Sequence, residues 1–268
     1  MKAVRPQVVA HRGASHENAE HTLRAYVAAL DAGAEGLECD VRLTADGHLV
    51  CVHDRDLRRT SSSRTLVSNS ELADLDALDF HSWKNPWADL DDEAPGPDER
   101  LDRVLTLRTL LETVADYDRR VEIAIETKHP TRYSGLVERR LVEQLRHFGW
   151  DRAGSPVRVM SFSRIALQRV ERLAPDLRLV MLIEHARHWP MLRRLIGPDW
   201  LVGPGIKELA EHPRLGPRIT AAGHGMHVWT VNTEAHLDLC LELGVQAVIT
   251  DRPAYVLDLL DHRDGVAG

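Results

Sequence analysis

Acidic side chains occupy matching positions in two strand-like segments of this sequence. Glu38 and Asp40 stand two residues apart in the first segment, so on a strand both side chains point to the same face. Glu126 and Lys128 repeat this spacing in a later segment. Three ionised carboxylates that point to one place need a compensating positive charge, and oxygen ligands favour Mg²⁺, Ca²⁺ or Mn²⁺ over Zn²⁺. We therefore expect Glu38, Asp40 and Glu126 to bind one divalent cation, unless each of them simply faces water at a strand end.

Two histidines stand where apolar runs end. The chain contains 15 histidines, so a single histidine carries little information. His11 and His53 differ from the others because each one ends a short apolar run. A pair of imidazoles can serve as general base and general acid near neutral pH. We interpret His11 and His53 as such an acid–base pair, with half-buried structural histidines as the alternative.

Two basic residues stand next to these groups and are candidates to bind a phosphate. Arg12 follows His11 directly, and Lys128 follows Glu126 by two positions. An arginine offers phosphate a planar, bidentate pair of donors, whereas a lysine offers a point charge. The alternative for both residues is a salt bridge to a neighbouring carboxylate. That alternative is compatible with a metal site, because metal ligands need partners that orient them.

The segments that must position these residues alternate between short apolar runs and amphipathic stretches. In residues 22–32, for example, apolar residues recur at the spacing of one helix face, and Gly33 follows as a helix-ending glycine. Eight strand-like segments lie near residues 8, 37, 122, 158, 180, 202, 229 and 248. This alternation predicts an α/β fold, a (β/α)8 TIM barrel, with an open doubly wound sheet as the alternative. The active site of such a barrel lies at the carboxyl ends of the strands, where the candidate residues stand.

The regular alternation breaks down after the second strand. Asp46–Gly47 is a tight-turn dipeptide, so the runs on either side of it are expected to form a hairpin. Residues 55–103 show little periodicity, and we interpret them as an insertion that is partly helical near residues 69–78. The acidic stretch 89–99 within it is expected to be solvated. We treat residues 1–268 as one domain that carries this insertion.

Composition excludes several classes of protein. The net charge of −7 and the lack of a Lys- or Arg-rich run argue against a nucleic-acid partner. The chain has three cysteines, a small and odd number that does not suit a disulfide framework, so reduced thiols are expected. No signal peptide and no apolar run of about 20 residues is visible. These observations predict a cytoplasmic protein without a transmembrane segment.

Six ordered blocks of the sequence resemble the glycerophosphodiester phosphodiesterase family. Together they cover nearly the whole chain outside residues 62–103. The blocks are HRGAS (11–15) with EHT (20–22), GAEGLECDVRLTADGHLVCVHD (33–54) with LRRTS (57–61), IETKHP (125–130), VMSFS (159–163), VWTVN (228–232) and GVQAVITDRP (244–253). The family fold is a (β/α)8 barrel with an extra segment after the second strand, which agrees with the expected insertion.

The resemblance implies a role for each matching residue. The family's metal ligands, its acid–base histidines and its phosphate-contacting cations fall on the residues chosen above from the sequence. Trp229 matches an aromatic residue that lines the pocket, with plain core packing as the alternative. Ala19 replaces a proline that is frequent in the family, and His21 stands where many members carry asparagine. These departures leave the roles of Glu20 and His21 open.

The activity that the resemblance implies is hydrolysis of a glycerophosphodiester to glycerol 3-phosphate and an alcohol, a reaction of glycerol and lipid metabolism. It would depend on one divalent cation and on two-histidine acid–base catalysis. The first alternative is the same chemistry on a lipid, by a lysophospholipase D or sphingomyelinase D-like enzyme. The second alternative is an inactive barrel that only binds its ligand. The head group, the metal and the oligomeric state stay open.

Overall fold

The computed structural model describes residues 5–85, 87, 98 and 100–266, with side chains as far as Arg263. Nine short β strands occur in these ranges, and nearly all of their side chains are buried. They are β1 (Gln7–His11), β2 (Gly36–Leu43), β3 (Leu49–Cys51), β4 (Glu122–Thr127), β5 (Val157–Ser161), β6 (Arg178–Ile183), β7 (Leu201–Pro204), β8 (His227–Trp229) and β9 (Ala247–Thr250).

Eight of the described strands run parallel and form a nearly closed barrel. Hydrogen bonds join them in the order β7-β6-β5-β4-β2-β1-β9-β8. The two ends of this order meet through bridges between Val202 and Met226 and between Gly205 and Trp229. β3 lies beside the barrel as the antiparallel partner of β2, after a turn at Gly47, whose φ is +90°. The predicted (β/α)8 TIM barrel and its early hairpin are therefore confirmed.

Helices alternate with these strands, and several begin after a residue that caps them. In four of them the side-chain oxygen of the cap accepts a hydrogen bond from a free N–H group of the first helical turn, and these caps are Thr22, Thr106, Ser163 and Thr233. The described helices are α1 (Leu23–Asp31), α2 (Arg58–Ser61), α3 (Leu72–Asp76), α4 (Leu107–Ala115), α5 (Leu136–His147), α6 (Arg164–Leu173), α7 (Trp189–Leu192), α8 (Ile206–Glu211), α9 (Leu215–Thr220), α10 (Glu234–Glu242) and α11 (Pro253–Val266).

The strands bury apolar side chains on both of their faces. On β1, Val8 and Ala10 point outward and pack in the large core between the strands and the helices. Val9 points inward, as the alternation of side chains along a strand requires. The cluster inside the barrel consists of Val9, Ala124, Met160, Val180, Leu182, Ala247 and Ile249. This packing fills the barrel, so the space available to a ligand lies at the rim.

The segment between β3 and β4 contains several short elements before α4. It contains α2, a 3₁₀ turn (Val67–Asn69) and α3, which falls within the expected helical part. Side chains of this segment form a small apolar cluster with Val50 of β3, and the other members are Val52, Leu57, Val67, Leu75, Phe80 and Val104. The acidic stretch 89–99 lies outside the described residues apart from Asp98, so its predicted solvation stays a prediction.

Two smaller expectations concern cysteines and membranes. Cys39, Cys51 and Cys240 are free, buried thiols. Among the described residues, no helix combines the length and the apolar character that a membrane span needs.

Candidate functional site

One cavity of about 350 Å³ opens at the carboxyl ends of the barrel strands. Seven of the eight residues proposed from the sequence line it: His11, Arg12, Glu38, His53, Glu126, Lys128 and Trp229. Asp40, the eighth, contacts two of them: its carboxylate lies 3.0 Å from Arg12 Nε and 3.2 Å from Lys128 Nζ. The fold thus brings all eight residues together.

Strand register explains why the three carboxylates meet. Asp40 of β2 is paired with Glu126 of β4, because β3 leaves the barrel path and makes these two strands neighbours. Glu38 stands two residues before Asp40 on the same face. Oxygen atoms of the three side chains all lie within 4.8 Å of one another, a spacing that could hold a metal ion. The three residues are only 3%, 1% and 8% exposed, respectively for Glu38, Asp40 and Glu126.

The electrostatics of this cluster favour the binding of a cation. Burial and the neighbouring charge of Asp40 raise the pKa of Glu38 well above its usual range and the pKa of Glu126 to about 8. Among the residues that the structure describes, two permanently cationic side chains, Arg12 and Lys128, form ion pairs with this cluster. A buried, oxygen-only cluster whose carboxyl groups need a further positive charge in order to ionise is the donor set that a hard divalent cation prefers. The residues therefore fit a divalent metal.

Asp40 behaves differently from the other two carboxyl groups. Burial acts to raise its pKa, but the guanidinium of Arg12, the hydrogen bond from His21 and the ammonium of Lys128 outweigh this effect. The pKa of Asp40 therefore lies well below its usual range. His21 Nε2 is 3.0 Å from Asp40 Oδ2, and its Nδ1 is 2.9 Å from the hydroxyl of Tyr26. The sequence left His21 without a role, and the structure shows it as a buried partner that orients Asp40.

His11 is oriented by a carboxylate from the far end of the chain. Its Nδ1 lies 2.6 Å from Asp251 Oδ1, so a carboxylate acceptor holds the ring proton on Nδ1. The other ring nitrogen, Nε2, lies 4.0 Å from Glu38 in the cavity. Ser15 Oγ and Asn232 Nδ2 donate further hydrogen bonds to Asp251, at 3.0 Å and 2.6 Å. Burial acts to raise the pKa of Asp251, but these hydrogen bonds and the charge of His11 lower it well below its usual range.

His53 has a similar arrangement on the opposite loop. Its Nδ1 lies 2.8 Å from Asp54 Oδ1, and the second oxygen of Asp54 accepts a hydrogen bond of 2.7 Å from Arg59 Nε. Arg59 belongs to α2, in the inserted segment. Burial lowers the pKa of His53 to about 4, so its imidazole is neutral near pH 7 in the absence of a further ligand.

Glu20 connects the loops that carry the two histidines. Its carboxylate accepts hydrogen bonds from Arg12 at 3.0 Å and from both terminal nitrogens of Arg59 at 2.6 and 2.7 Å. Arg12 itself has a φ of +58°, an uncommon left-handed conformation for a non-glycine residue. The sequence left the role of Glu20 open, and in the structure Glu20 fixes the guanidinium of Arg12 beside the carboxylate cluster.

The sequence left two alternatives for Trp229, lining the pocket or packing in the core, and the structure shows both. It lines the cavity and also packs against the cluster inside the barrel. Its Nε1 donates a hydrogen bond of 2.8 Å to the carbonyl of Gly203, which fixes the ring. Phe162 packs edge-on against it, with ring centroids 5.6 Å apart and an interplanar angle of 85°.

Sequence reasoning missed several residues that the structure brings to this rim: Asp54, Arg59, Glu184, Phe162 and Asp251. Four of these had a usable signal. A strand-like segment that ends at the rim stands just before each of Asp54, Phe162, Glu184 and Asp251. Arg59 had no such signal, because its contact with Glu20 depends on how the insertion folds back.

A larger surface cavity, of about 730 Å³, lies away from the rim beside α8. Ligand atoms of Glu208, Glu211 and His212 lie within 4.8 Å of one another there. Glu208 already accepts a hydrogen bond from the backbone N–H of Ala186, and the other two side chains are exposed. We place the candidate site at the barrel rim, where the possible ligands are buried.

Comparison with known proteins adds an independent finding. The model of the glycerophosphoryl diester phosphodiesterase family matches residues 11–255. A relative from Mycobacterium tuberculosis, named probable glycerophosphodiester phosphodiesterase 1, is 43% identical over 252 residues, which cover 92% of this chain and 90% of the relative. The glycerophosphodiester phosphodiesterase of Bacillus subtilis is 32% identical over 251 residues, which cover 91% of this chain and 83% of the relative.

Solved structures with the same fold are also found. A phosphodiesterase from Oleispira antarctica, described in complex with the product sn-glycerol-3-phosphate, superposes with a TM-score of 0.78 at 25% identity and covers 96% of this chain and 97% of its own. The glycerophosphodiester phosphodiesterase of Thermotoga maritima superposes with a TM-score of 0.71 at 21% identity and covers 96% and 99% of the two chains, a likeness of fold.

Proposed function

The chain belongs to the glycerophosphoryl diester phosphodiesterase family, and from that premise we propose that it is an enzyme that hydrolyses glycerophosphodiesters to glycerol 3-phosphate and an alcohol. The observation that carries the proposal is a cluster of three buried carboxylates that lies with two cationic side chains and two histidines in one cavity. Hydrolysis of a phosphodiester uses groups of these kinds, because negative charge develops around the phosphate and two protons are transferred.

Glu38, Asp40 and Glu126 would hold one divalent cation, either Mg²⁺ or Ca²⁺, with Mn²⁺ as a third candidate. When bound, this cation neutralises the phosphate and stabilises the charge that develops during the reaction. Two features support the assignment: the three carboxyl groups present only oxygen ligands, and they are buried together, so they need a further positive charge in order to ionise.

Arg12 and Lys128 would bind the phosphate oxygens. Both cations line the cavity, and both are fixed by acidic partners that leave them charged. The guanidinium of Arg12 is held by Glu20, and the ammonium of Lys128 lies 2.9 Å from Glu126. Groups that are held in place beforehand stabilise developing charge without the cost of reorganisation.

His11 and His53 would act as the general base and the general acid. Each imidazole has its Nδ1 against a carboxylate, so Nε2 is the nitrogen available to the substrate. One histidine removes a proton from the nucleophile, and the other donates a proton to the leaving alcohol oxygen. The nucleophile is either water or the 2-hydroxyl of the substrate's own glycerol, and the latter route passes through a cyclic phosphate.

A substrate panel tests this function. We expect the protein to release glycerol 3-phosphate from glycerophosphocholine and glycerophosphoethanolamine. Neither curated relative reported above is named for a lysolipid or a sphingolipid, so the lipid alternative is not favoured. Turnover of lysophosphatidylcholine without turnover of either soluble diester would support that alternative. Tight binding of glycerol 3-phosphate with no turnover of any of these compounds would indicate an inactive barrel.

Several broader predictions remain proposals beside this one. We propose that residues 1–268 form one domain with an insertion at about 55–103. We also propose a small-molecule substrate, no nucleic-acid partner and a cytoplasmic location.

A further inference from the structure

The rim of the barrel has two chemically different halves. The neighbouring strands β1, β2 and β4 carry or lead into the charged groups, among them Arg12, Glu38 and Lys128. The strands on the other side present an apolar wall to the same cavity. This wall consists of Met160, Phe162, Leu182, Trp229 and Ile249.

One carboxylate, Glu184, lies on the apolar half. It follows the end of β6 and stands two residues after Leu182, and both side chains line the cavity. Within the described part of the chain, Glu184 has neither a salt bridge nor a side-chain hydrogen bond. The other acidic residues of the cavity are different, because Glu38 and Glu126 belong to the cluster that Arg12 and Lys128 accompany.

An unpaired carboxylate at this position disfavours a second phosphate and favours a positive charge. The phosphate of the substrate must lie on the other half, near Arg12 and Lys128. A substrate that spans the cavity therefore places its alcohol half against the wall that holds Glu184. His129 also lines the cavity, but its Nε2 lies 3.0 Å from the buried Glu138, so it adds no free cation to this wall.

Aromatic rings stand on the same wall. Phe162 and Trp229 pack edge to face, and Phe162 remains 39% exposed although it is a large apolar side chain. The hydrogen bond from Trp229 to Gly203 holds the indole in place. Rigid aromatic rings attract quaternary and primary ammonium groups through their π faces, and a nearby carboxylate adds a direct charge interaction.

We propose that Glu184, Phe162 and Trp229 form a subsite for an ammonium group on the alcohol half of the substrate. This inference rests on the proposed hydrolysis and deepens it: the preferred substrates are glycerophosphodiesters whose alcohol is a cationic amino alcohol, such as choline or ethanolamine. Diesters with an uncharged alcohol, such as glycerophosphoglycerol, leave Glu184 without a partner and bind less well.

The first experiment measures kcat/KM for glycerophosphocholine and for glycerophosphoglycerol in the wild-type protein, in Glu184→Gln and in Phe162→Leu. We expect the ratio of the two values to favour glycerophosphocholine in the wild type. The ratio should fall roughly 5- to 30-fold in Glu184→Gln, mainly through KM, because a charge-assisted cation–π site of this kind contributes on that order. Phe162→Leu should lower the ratio in the same direction.

A matched control removes the same charge elsewhere. Glu242 is exposed and ends α10, the helix that leads into β9, so it lies toward the opposite end of the barrel from the cavity. Glu242→Gln should leave the ratio as it is in the wild type. A ratio that Glu184→Gln leaves unchanged, in a protein that hydrolyses both diesters, would overturn the subsite while the proposed function stands.

A second readout does not depend on turnover. Binding of tetramethylammonium and of choline is measured by calorimetry in the wild type and in Glu184→Gln. We expect binding by the wild type that Glu184→Gln weakens, and the absence of a difference between the two proteins would overturn the subsite. If neither diester is hydrolysed but this difference is present, the proposed hydrolysis fails and the ammonium site stands.

Discussion

Asp251 and His11 are 240 residues apart in the chain, yet Asp251 Oδ1 lies 2.6 Å from His11 Nδ1. The contact forms because β9 pairs with β1 and brings the residue after β9 beside the end of β1. The carboxylate keeps the ring proton on Nδ1, and it would also stabilise the imidazolium that forms if His11 takes up a proton. Asp251 thus acts on the proposed reaction through His11.

Replacement of Asp251 by asparagine tests this positioning role. The side-chain amide of asparagine can either accept or donate a hydrogen bond here, so it no longer fixes the tautomer of His11. The substitution also removes the negative charge. We expect Asp251→Asn to lower kcat by about 10²-fold or more, with a smaller change in KM, since general acid–base catalysis is worth about 10² to 10⁴. Steady-state kinetics and circular dichroism of the folded variant check this. A kcat equal to that of the wild type would show that His11 does not need its partner.

Replacement of either histidine tests the proposed acid–base chemistry. Each of the variants His11→Ala and His53→Ala should lose turnover by about 10² to 10⁴-fold, because a positioned acid or base contributes on that order. Both side chains are partly exposed, so the fold should persist. The measurement is glycerol 3-phosphate release, with thermal unfolding as the check on folding. His48→Ala is the matched control, since this exposed histidine lies in the hairpin turn and should not affect turnover.

The lowered pKa of Glu20 predicts how the stability of the fold depends on pH. Burial acts to raise its pKa, but hydrogen bonds from Arg59 and the charge of Arg12 lower it from 4.5 to about 2. A carboxyl group with a depressed pKa stabilises the fold fully above pH 4.5, and this contribution is lost as the pH falls toward 2. The full contribution is of order 3 kcal/mol at neutral pH.

The variant Glu20→Gln should therefore be less stable than the wild type at pH 7. The difference in the free energy of unfolding should shrink as the pH falls from about 5 to about 2. Urea unfolding across this range measures it. A difference that stays constant with pH would show that the charge of Glu20 is not what its partners stabilise.

The sequence was sufficient to predict that Glu38, Asp40 and Glu126 lie close together, because their contacts follow from local rules. Glu38 and Asp40 share a face through strand alternation, and Glu126 ends the next barrel strand. Neighbouring parallel strands end at the same rim, so the three carboxylates had to meet once the barrel formed. The assignment of eight strands was sufficient for this step.

The remaining contacts of the rim depend on how the barrel closes and how the insertion folds back. Asp251 reaches His11 because β9 returns to β1, and the bond between Arg59 and Glu20 joins the insertion to the first loop. Neither pair shares a period or a spacing in the sequence. Glu184 could not be singled out for another reason. An exposed glutamate after a strand is common, and only the structure shows that this one stands beside an apolar wall.

Removal and return of the metal is the most direct test of the central claim. The protein is treated with chelator, its metal content is measured by elemental analysis, and glycerol 3-phosphate release from glycerophosphocholine is followed before and after addition of Mg²⁺ or Ca²⁺. We predict that turnover falls by about 10²-fold or more in the metal-free protein, because a divalent cation at a phosphate is worth several kcal/mol of stabilisation. One of the two ions should restore it, and Glu126→Gln should not respond to either ion. Full turnover by protein shown to contain no metal would contradict the role assigned to Glu38, Asp40 and Glu126.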